Sequence, residues 1–342
     1  MKLAIFGDLH LGIRHNSTEW HEVALEWADA FIAQLKERGI RDIVFLGDFF
    51  HNRNTISVNT LNVANKFMQK FGDFNIHMVL GNHDLFYDNE FTTSGVNLFD
   101  NFANVHVYAE PKKVMLGGKQ FEFCGWGYDP MLYDADVLFT HAEVAMFKVN
   151  KNSEPSEDGY KISDLLKHYE VVYSGHYHVR QSKVYDRGQV RYVGNPFAMD
   201  FSDEDVEKGF EVYDTESGEI EFVRNDFSPK YHSRRLSDLL SVGDFDEIGG
   251  LIHGSHFKLI VDRSVTQQDM DRLMNIVNGY APADSSFEWE NGKAFSQNVE
   301  GFEGSAFDIR TTIAEYIDLL DVPDKPWIKK YIFELYTKVD CS

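Results

Sequence analysis

The sequence predicts an α/β sandwich of two β-sheets, followed by a small α+β module and a helical tail. First, short apolar runs alternate with amphipathic helices near the N-terminus, a pattern typical of parallel strands with helices packed on the sheet. Second, later apolar runs are joined by hairpin-type turns, which indicates a second sheet. We therefore divide the chain into a main domain at 1–230, a small module at 231–302 and a tail at 303–342.

The N-terminal elements predict the order β-α-β-α-β. Buried apolar runs predict strands at 2–7, 42–46 and 76–80. Ser17 or Thr18 caps the first helix, which runs to about Arg38 and ends at Gly39. Ser57 caps the second helix.

The rest of the chain carries shorter signals. Further strands are predicted at 113–116, 120–124, 137–140 and 171–174, with hairpin turns at 186–188 and 216–218. In the small module, 257–261 predicts a strand and 267–277 a helix. Two amphipathic helices are predicted in the tail, because apolar residues recur there at helical spacing. These residues are Ile313, Tyr316, Ile317 and Leu320, then Ile328, Tyr331, Ile332 and Leu335.

Composition excludes several classes of protein. Of the 342 residues, 43% are apolar and 26% are charged, as in globular rather than disordered chains. The formal net charge of −22 argues against a protein that holds nucleic acid by bulk charge. The two cysteines, Cys124 and Cys341, rule out a disulfide framework, so a reducing cytoplasm is expected. Apolar runs are shorter than the roughly 20 residues of a membrane span, and no membrane association is expected.

Five short motifs each follow a predicted strand. They are Gly7-Asp8-Leu9-His10, Gly47-Asp48-Phe49-Phe50-His51, Gly81-Asn82-His83-Asp84, Thr140-His141 and Gly175-His176-Tyr177-His178. Because the carboxyl ends of parallel strands meet at one edge of a sheet, we expect these side chains to converge. Carboxylate, imidazole and amide groups are ligands for Mn²⁺, Fe²⁺ or Zn²⁺.

The number of such groups favours two metal ions over one. A two-metal site holds its ions about 3.5–4 Å apart with a bridging carboxylate, and it hydrolyses phosphate esters. Each residue alone has an ordinary interpretation, with Asp8, Asp48 and Asn82 as turn residues and His141 as a core histidine. Ordinary turns do not require this combination at five strand ends, so the metal site is the better interpretation.

Together the motifs resemble those of the calcineurin-like metallophosphoesterase superfamily over roughly residues 1–225. The resemblance implies an αββα sandwich. His51 and the runs 192–196 and 208–210 are similar to the DNA-repair nuclease branch, which includes the bacterial SbcD subunit and the recombination nuclease of T-even-like phages. Because the chain is compact and its tail is short, it resembles the phage type more than the bacterial type. Gly194-Asn195-Pro196 stands where many members have Gly-Ser, so no substrate role is carried over to Asn195.

The resemblance also implies roles for individual residues. One metal ion would be held by Asp8, His10 and His178, and the other by Asn82, His141 and His176. Asp48 would bridge the two ions. His83 would be a catalytic imidazole that assists the leaving oxygen, Asp84 would orient its ring, and His51 would contact the scissile phosphate. The implied cofactors are two Mn²⁺ ions, with Fe²⁺ or Mg²⁺ as alternatives.

The resemblance implies a DNA exonuclease and endonuclease, the catalytic subunit of a recombination and double-strand-break-processing complex. Its partner would be an SMC-like coiled-coil ATPase, with this chain as a homodimer within a heterotetramer. A basic surface on the ATPase would bind DNA, which the acidic surface of this chain repels. The small module at 231–302 would guide DNA to the site. Arg14 and Arg53 flank the motifs and are candidates for phosphate contact, although a solvated face accounts for them equally well.

The tail helices have two interpretations. They either pack on their own domain or dock in a groove of the ATPase. The residues that would dock are Ile313, Ile317, Leu320, Ile328, Tyr331, Ile332 and Leu335.

Two other functions remain open. A phosphodiesterase of small molecules or nucleotides with the same fold would need no partner, and would explain the acidic charge directly. A non-catalytic scaffold for the ATPase is a third class, which an inability to bind Mn²⁺ would favour.

Overall fold

A computed structural model describes residues 1–87, 90–91, 93–242, 245–263 and 265–290, together with single residues and short stretches of the tail at 317, 325–326, 328–330 and 332. Two six-stranded sheets pack face to face, and a third sheet of three strands follows. The predicted two-sheet α/β sandwich is thereby confirmed.

The first sheet carries three of the five motifs. Its strands are β1 (Lys2–Phe6), β2 (Asp42–Phe45), β3 (Asn75–Val79), β4 (Val105–Tyr108), β11 (Gly209–Asp214) and β12 (Ile220–Arg224). The order is β12-β11-β1-β2-β3-β4. β1 to β4 run parallel, whereas β11 is antiparallel to both β1 and β12. The carboxyl ends of β1, β2 and β3 therefore lie at one edge.

The second sheet carries the other two motifs. Its strands are β5 (Lys112–Leu116), β6 (Lys119–Cys124), β7 (Val137–His141), β8 (Val171–Gly175), β9 (Gln181–Tyr185) and β10 (Gly188–Tyr192). The order is β5-β6-β7-β8-β10-β9. Both predicted hairpin turns are confirmed, one between β9 and β10 and the other between β11 and β12.

The α-helices of the two-sheet part are α1 (Ile13–Asn16), α2 (Thr18–Arg38), α3 (Val58–Lys70) and α4 (Ile162–His168). Helices α5 (Leu236–Val242), α6 (Phe245–Ile252) and α7 (Gln267–Gly279) share an apolar cluster with the third sheet. As predicted, α2 ends at Gly39, whose φ of 66° is left-handed, and the Ser57 hydroxyl accepts the Thr60 N–H at the start of α3. Among the described helices, none combines the length and apolarity that crossing a membrane requires.

The apolar core has three layers, because successive strand residues point to opposite faces. Between the sheets lie side chains such as Ile5, Val44 and Phe139. Outside the first sheet, Trp27 and Phe31 of α2 pack on its other face. Outside the second sheet, α4 covers a further cluster. This order of layers is the αββα sandwich.

The elements that the sequence patterns missed include an edge strand and a short helix. The strand Val105–Tyr108 lies at the edge of its sheet, and its side chains are buried only at the first position. It therefore lacks the apolar run of a buried strand. Helix α4 has Ile162, Leu165 and Leu166 at helical spacing, but it has only seven residues and the side chain of Lys161 at its N-terminus makes no capping hydrogen bond.

The third sheet begins at Tyr231. Its parallel strands are β13 (Tyr231–Arg235), β14 (His256–Val261) and β15 (Asp284–Trp289). It contacts the main domain through stacked rings: His256 lies between Tyr231 and Trp20, with ring centroids 4.6 and 5.9 Å away. Glu204 of the main domain accepts the Ser233 N–H at 2.9 Å.

The tail is described at three of the predicted docking positions. Ile317 is helical and buried, and Ile328 and Ile332 are helical and half-buried. Four of the predicted positions lie outside the described residues. They are Ile313, Leu320, Tyr331 and Leu335.

One buried carboxylate is unrelated to the motifs. Glu122 of β6 is 1% exposed, and both of its oxygens lack a hydrogen-bond partner among the described residues. Burial raises its pKa to about 7, against a weaker opposing effect of Lys113. Because Phe121 and Phe123 point between the sheets, Glu122 points to the outer face of the second sheet.

We expect Glu122→Gln to stabilise the protein by roughly 1–3 kcal/mol at pH 8, and much less at pH 4.5. Between about pH 4.5 and pH 7, Glu122 is protonated in the folded protein but ionised in the unfolded chain. The free energy of unfolding of the wild type therefore falls as the pH rises through this window. The variant cannot ionise at this position and lacks that part of the fall. Urea denaturation at both pH values measures it. Glu219→Gln, at an exposed position, is the control, and an equal gain at both pH values would contradict the prediction.

Candidate metal centre

The five motifs meet where the two sheets present the carboxyl ends of their parallel strands. Asp8, Asp48 and Asn82 follow β1, β2 and β3 of the first sheet. His141 ends β7 and His176 follows β8 of the second sheet. The arrangement brings all seven predicted metal ligands to one cleft between the sheets.

The first group of donors consists of Asp8, His10 and His178. One ligand atom from each lies within 4.8 Å of the others, and the Nε2 atoms of the two histidines are 3.0 Å apart. Asp8 Oδ1 accepts the His176 N–H at 2.9 Å, whereas its Oδ2 is buried without a hydrogen-bond partner among the described residues. A metal ion would satisfy this oxygen, and a carboxylate with two imidazoles is a suitable ligand set for one, so this group fits a divalent ion.

The second group consists of Asn82, His141 and His176. Asn82 Oδ1 lies 3.0 Å from His141 Nε2 and 3.1 Å from His176 Nδ1. Three donor atoms from different strands thus converge on one point. This mixed oxygen and nitrogen set also fits a divalent ion.

Asp48 lies between the two groups. Its Oδ2 is 3.6 Å from His10 Nε2 and 3.4 Å from His141 Nε2. Burial opposes ionisation, but the charges of His141 and His10, with the His141 hydrogen bond, outweigh it and hold the pKa of Asp48 below its usual range. An ionised carboxylate facing both groups is the geometry that a shared ligand requires.

Hydrogen bonds on the far side of the rings fix which nitrogen faces the cleft. His141 Nδ1 donates to the Leu46 carbonyl at 2.7 Å, which leaves Nε2 as the inward ligand atom. His83 Nδ1 donates to the His51 carbonyl at 2.7 Å. A ring that binds a metal is neutral and carries one N–H, so the bond to Leu46 would select the tautomer of His141 that ligates through Nε2.

His51 and His83 lie on the side of the first group. One ring nitrogen of each lies within 4.8 Å of the other and of a ring nitrogen of His10, and the His10 and His83 ring centroids are 4.9 Å apart. Burial and the His83 ring lower the pKa of His51, so His51 is neutral near pH 7. Two imidazoles outside the seven donors therefore line the cleft.

The expected role of Asp84 in orienting the His83 ring is wrong. Its Oδ2 accepts the N–H groups of Asp48 at 2.8 Å and Gly81 at 3.0 Å, and its Oδ1 accepts that of Phe49 at 2.8 Å. The turns after β2 and β3 leave these buried N–H groups without backbone partners, and Asp84 accepts their hydrogen bonds. Asp84 therefore fixes the backbone that carries Asp48, while a backbone carbonyl holds the His83 ring.

Asn195 belongs to a buried cluster behind His178. Its amide donates to the Phe197 carbonyl at 2.9 Å, and its Oδ1 accepts from Lys208. Lys208 also pairs with Asp203 and donates to the His178 carbonyl at 3.0 Å. The contacts of Asn195 are thus internal to the fold.

The two predicted arginines differ in their surroundings. Arg14 donates to the Met199 carbonyl at 2.9 Å and lies over the Trp20 ring at 5.8 Å. Its guanidinium is engaged beside the third sheet. Arg53 is exposed two residues after His51.

The backbone of the cleft is strained at the donors themselves. Asp8, His10, Asp48 and His176 have φ values of 53°, 46°, 59° and 94°. Side chains in this left-handed region are uncommon outside turns and functional sites. Close packing reinforces the constraint, because a Cβ on Gly81 would lie 2.1 Å from Asp48 Oδ1.

Sequence comparison gives two findings. Residues 1–218 match the family described as the calcineurin-like phosphoesterase superfamily domain. The chain is also 25% identical, over 358 aligned positions, to Exonuclease subunit 1 of Enterobacteria phage T4, and the alignment covers 99% of each protein.

Two solved structures show weaker likeness. One, a novel archaeal phosphodiesterase, has a TM-score of 0.36 at 16% identity, covering 66% of this chain and 100% of that one. The other, a dimetal phosphatase from Danio rerio, has a TM-score of 0.38 at 10% identity, covering 62% and 91%. The family match spans more than half of the chain, and the donors lie where its motifs predict them: the chain belongs to the calcineurin-like phosphoesterase superfamily.

Proposed function

We propose that this protein is a DNA nuclease, with exonuclease and endonuclease activity, that uses two divalent metal ions. The observation that carries the proposal is the pair of donor groups with Asp48 between them, 3.6 Å from His10 and 3.4 Å from His141. The relative named Exonuclease subunit 1, aligned over 99% of this chain, supports a nucleic-acid substrate. The metal proposed is Mn²⁺, with Fe²⁺ or Mg²⁺ as alternatives.

Each donor group would hold one ion: Asp8, His10 and His178 the first, and Asn82, His141 and His176 the second, with Asp48 shared between the two groups. Bound there, the ions would polarise a phosphate and lower the pKa of water.

His83 is the proposed proton carrier. Because its Nδ1 donates to the His51 carbonyl, its Nε2 is the atom that exchanges a proton with the leaving oxygen of DNA. His51, on the same side of the cleft, contacts the scissile phosphate.

The proposed partner is an SMC-like coiled-coil ATPase of a recombination and repair complex in the cytoplasm. The relative is itself named a subunit, and a net charge of −22 favours a partner that supplies a basic surface for DNA. The chain would act as a homodimer in a heterotetramer, with 303–342 docked on the ATPase and 231–302 guiding DNA.

The same acidic charge favours a second candidate function. A phosphodiesterase of nucleotides or other small molecules needs no basic surface, and the same donors would serve it. The two candidates differ in whether DNA is cleaved.

We expect His83→Ala to slow cleavage of end-labelled linear DNA in Mn²⁺ by about 10²–10⁴-fold, the usual contribution of a general acid. EDTA should abolish wild-type cleavage. His168→Ala, in which the removed ring is paired with Asp134 away from the motifs, is the control and should cleave normally. Rapid turnover of a small aryl phosphodiester with no cleavage of DNA, even with the ATPase added, would favour the second candidate.

We expect Asp48→Asn to weaken Mn²⁺ binding by more than about 100-fold. Removing a residue that only hydrogen-bonds to a metal ligand already lowers metal affinity by about 10–100-fold, and Asp48 is proposed to be a ligand itself. The amide keeps the shape of the carboxylate but removes the charge that faces both groups. Titration calorimetry measures the binding. Asp73→Asn, on the surface, is the matched control, and unchanged Mn²⁺ affinity in Asp48→Asn would contradict the bridging role.

We expect a chain truncated after residue 302 to keep its nuclease activity and to lose the ATPase. The proposed donors all lie before residue 180, whereas the proposed docking helices lie in the tail. Co-purification with the tagged ATPase measures binding, and DNA digestion by the same preparation is the control. Continued co-purification of the truncated chain would place the partner surface elsewhere.

A further inference from the structure

Glu143 is a carboxylate that no motif contains, and it lies at the outer side of the candidate metal centre. It follows His141 by two residues, just after β7. Its Oε1 is 3.3 Å from Nε2 of His176, while Nδ1 of the same ring is 3.1 Å from Asn82 Oδ1. The His176 ring therefore has one nitrogen toward the second donor group and the other toward a carboxylate.

This contact supplies a partner for the proton of His176 when the ring binds a metal. Asn82 Oδ1 and Glu143 Oε1 both accept hydrogen bonds, and a neutral ring donates to only one of them. If Nδ1 ligates an ion, Nε2 is the protonated atom and Glu143 is its acceptor. Nδ1 then has its lone pair directed to the side of Asn82 and His141. A ring with the opposite tautomer would point an N–H at the ion and could not bind it.

The chemical nature of the outer partner differs between the two histidines of this group. His141 donates its outer N–H to the neutral Leu46 carbonyl at 2.7 Å. His176 faces a group that carries a full negative charge when ionised. A charged acceptor makes the imidazole a stronger electron donor to a metal than a carbonyl does.

The surroundings hold both members of the pair. The Glu143 carbonyl accepts the Tyr160 N–H at 2.9 Å, and a Cβ on Gly159 would lie 2.2 Å from that carbonyl oxygen. On the other side, the Trp126 ring packs 5.0 Å from the His176 ring. The loop holds the backbone of Glu143 and the Trp126 ring restricts the side chain of His176, so the fold brings the two residues together.

We propose that Glu143 is a positioning residue for the second metal ion: it accepts the Nε2–H of His176 and so presents Nδ1 to the ion. The inference rests on the proposed metal centre and adds a residue to it. Glu143 lies on the far side of the His176 ring from Asn82 and His141, and its side chain is 41% exposed. It can therefore be replaced without opening the core.

The test is calorimetric titration of the full chain with Mn²⁺, comparing wild type, Glu143→Ala and Glu143→Gln. The alanine variant should bind one of two ions about 10–100-fold more weakly, which is the usual effect of losing an outer partner. The glutamine variant should recover most of the affinity, because its amide oxygen can accept the same hydrogen bond. Glu157→Ala, at an exposed position in the following segment, is the control.

Thermal melting without metal separates positioning from folding, and all four proteins should melt within a few degrees of each other. Unchanged Mn²⁺ affinity in Glu143→Ala would overturn the proposal, as would equal losses in the alanine and glutamine variants. Binding is read without any nuclease assay. If the wild type binds two ions but leaves DNA intact, the proposed nuclease function is wrong and the role of Glu143 can still be tested. If the wild type binds no ions, the nuclease proposal and the role of Glu143 are both wrong.

Discussion

The need to neutralise buried negative charge between the sheets governs this structure. Asp8, Asp48 and Asp84 are each at most 2% exposed and lie within one cleft. An isolated buried carboxylate is very unfavourable, so each must be matched by hydrogen-bond donors or by cations. Backbone N–H groups serve Asp84, and imidazoles face Asp48. Asp8 Oδ2 has no hydrogen-bond partner among the described residues, and a divalent ion at this position would complete the balance.

The same requirement explains the local backbone. Donors drawn from parallel strands can face one point only if the chain turns sharply as each strand ends, and the left-handed conformations of Asp8, Asp48 and His176 achieve this. Outer hydrogen bonds then set the rings: carbonyls hold His141 and His83, and a carboxylate meets His176. The centre thus consists of an inner set of donors and an outer set that fixes their direction.

The third sheet contacts the main domain close to the first of the five motifs, which carries Asp8 and His10. Arg14, four residues after His10, donates to the Met199 carbonyl and lies over the ring of Trp20. Trp20 in turn stacks on His256 of the third sheet. The contact surface is therefore continuous with the segment that carries Asp8 and His10. A DNA-guiding module, as proposed for 231–302, would be anchored beside the first group of donors.

Local sequence patterns predicted the sandwich and the convergence of the five motifs. The motifs follow strands, and parallel strands end at one edge, so pattern and general topology were enough to bring Asp8, Asn82 and His141 together. The contacts of Asp84 with the backbone of Asp48 and of Glu143 with His176 are visible only in the folded protein. Those contacts depend on where side chains point across residues distant in sequence. Spacing along a chain encodes the period of a strand or helix, but it does not encode the direction of a side chain beyond its own element.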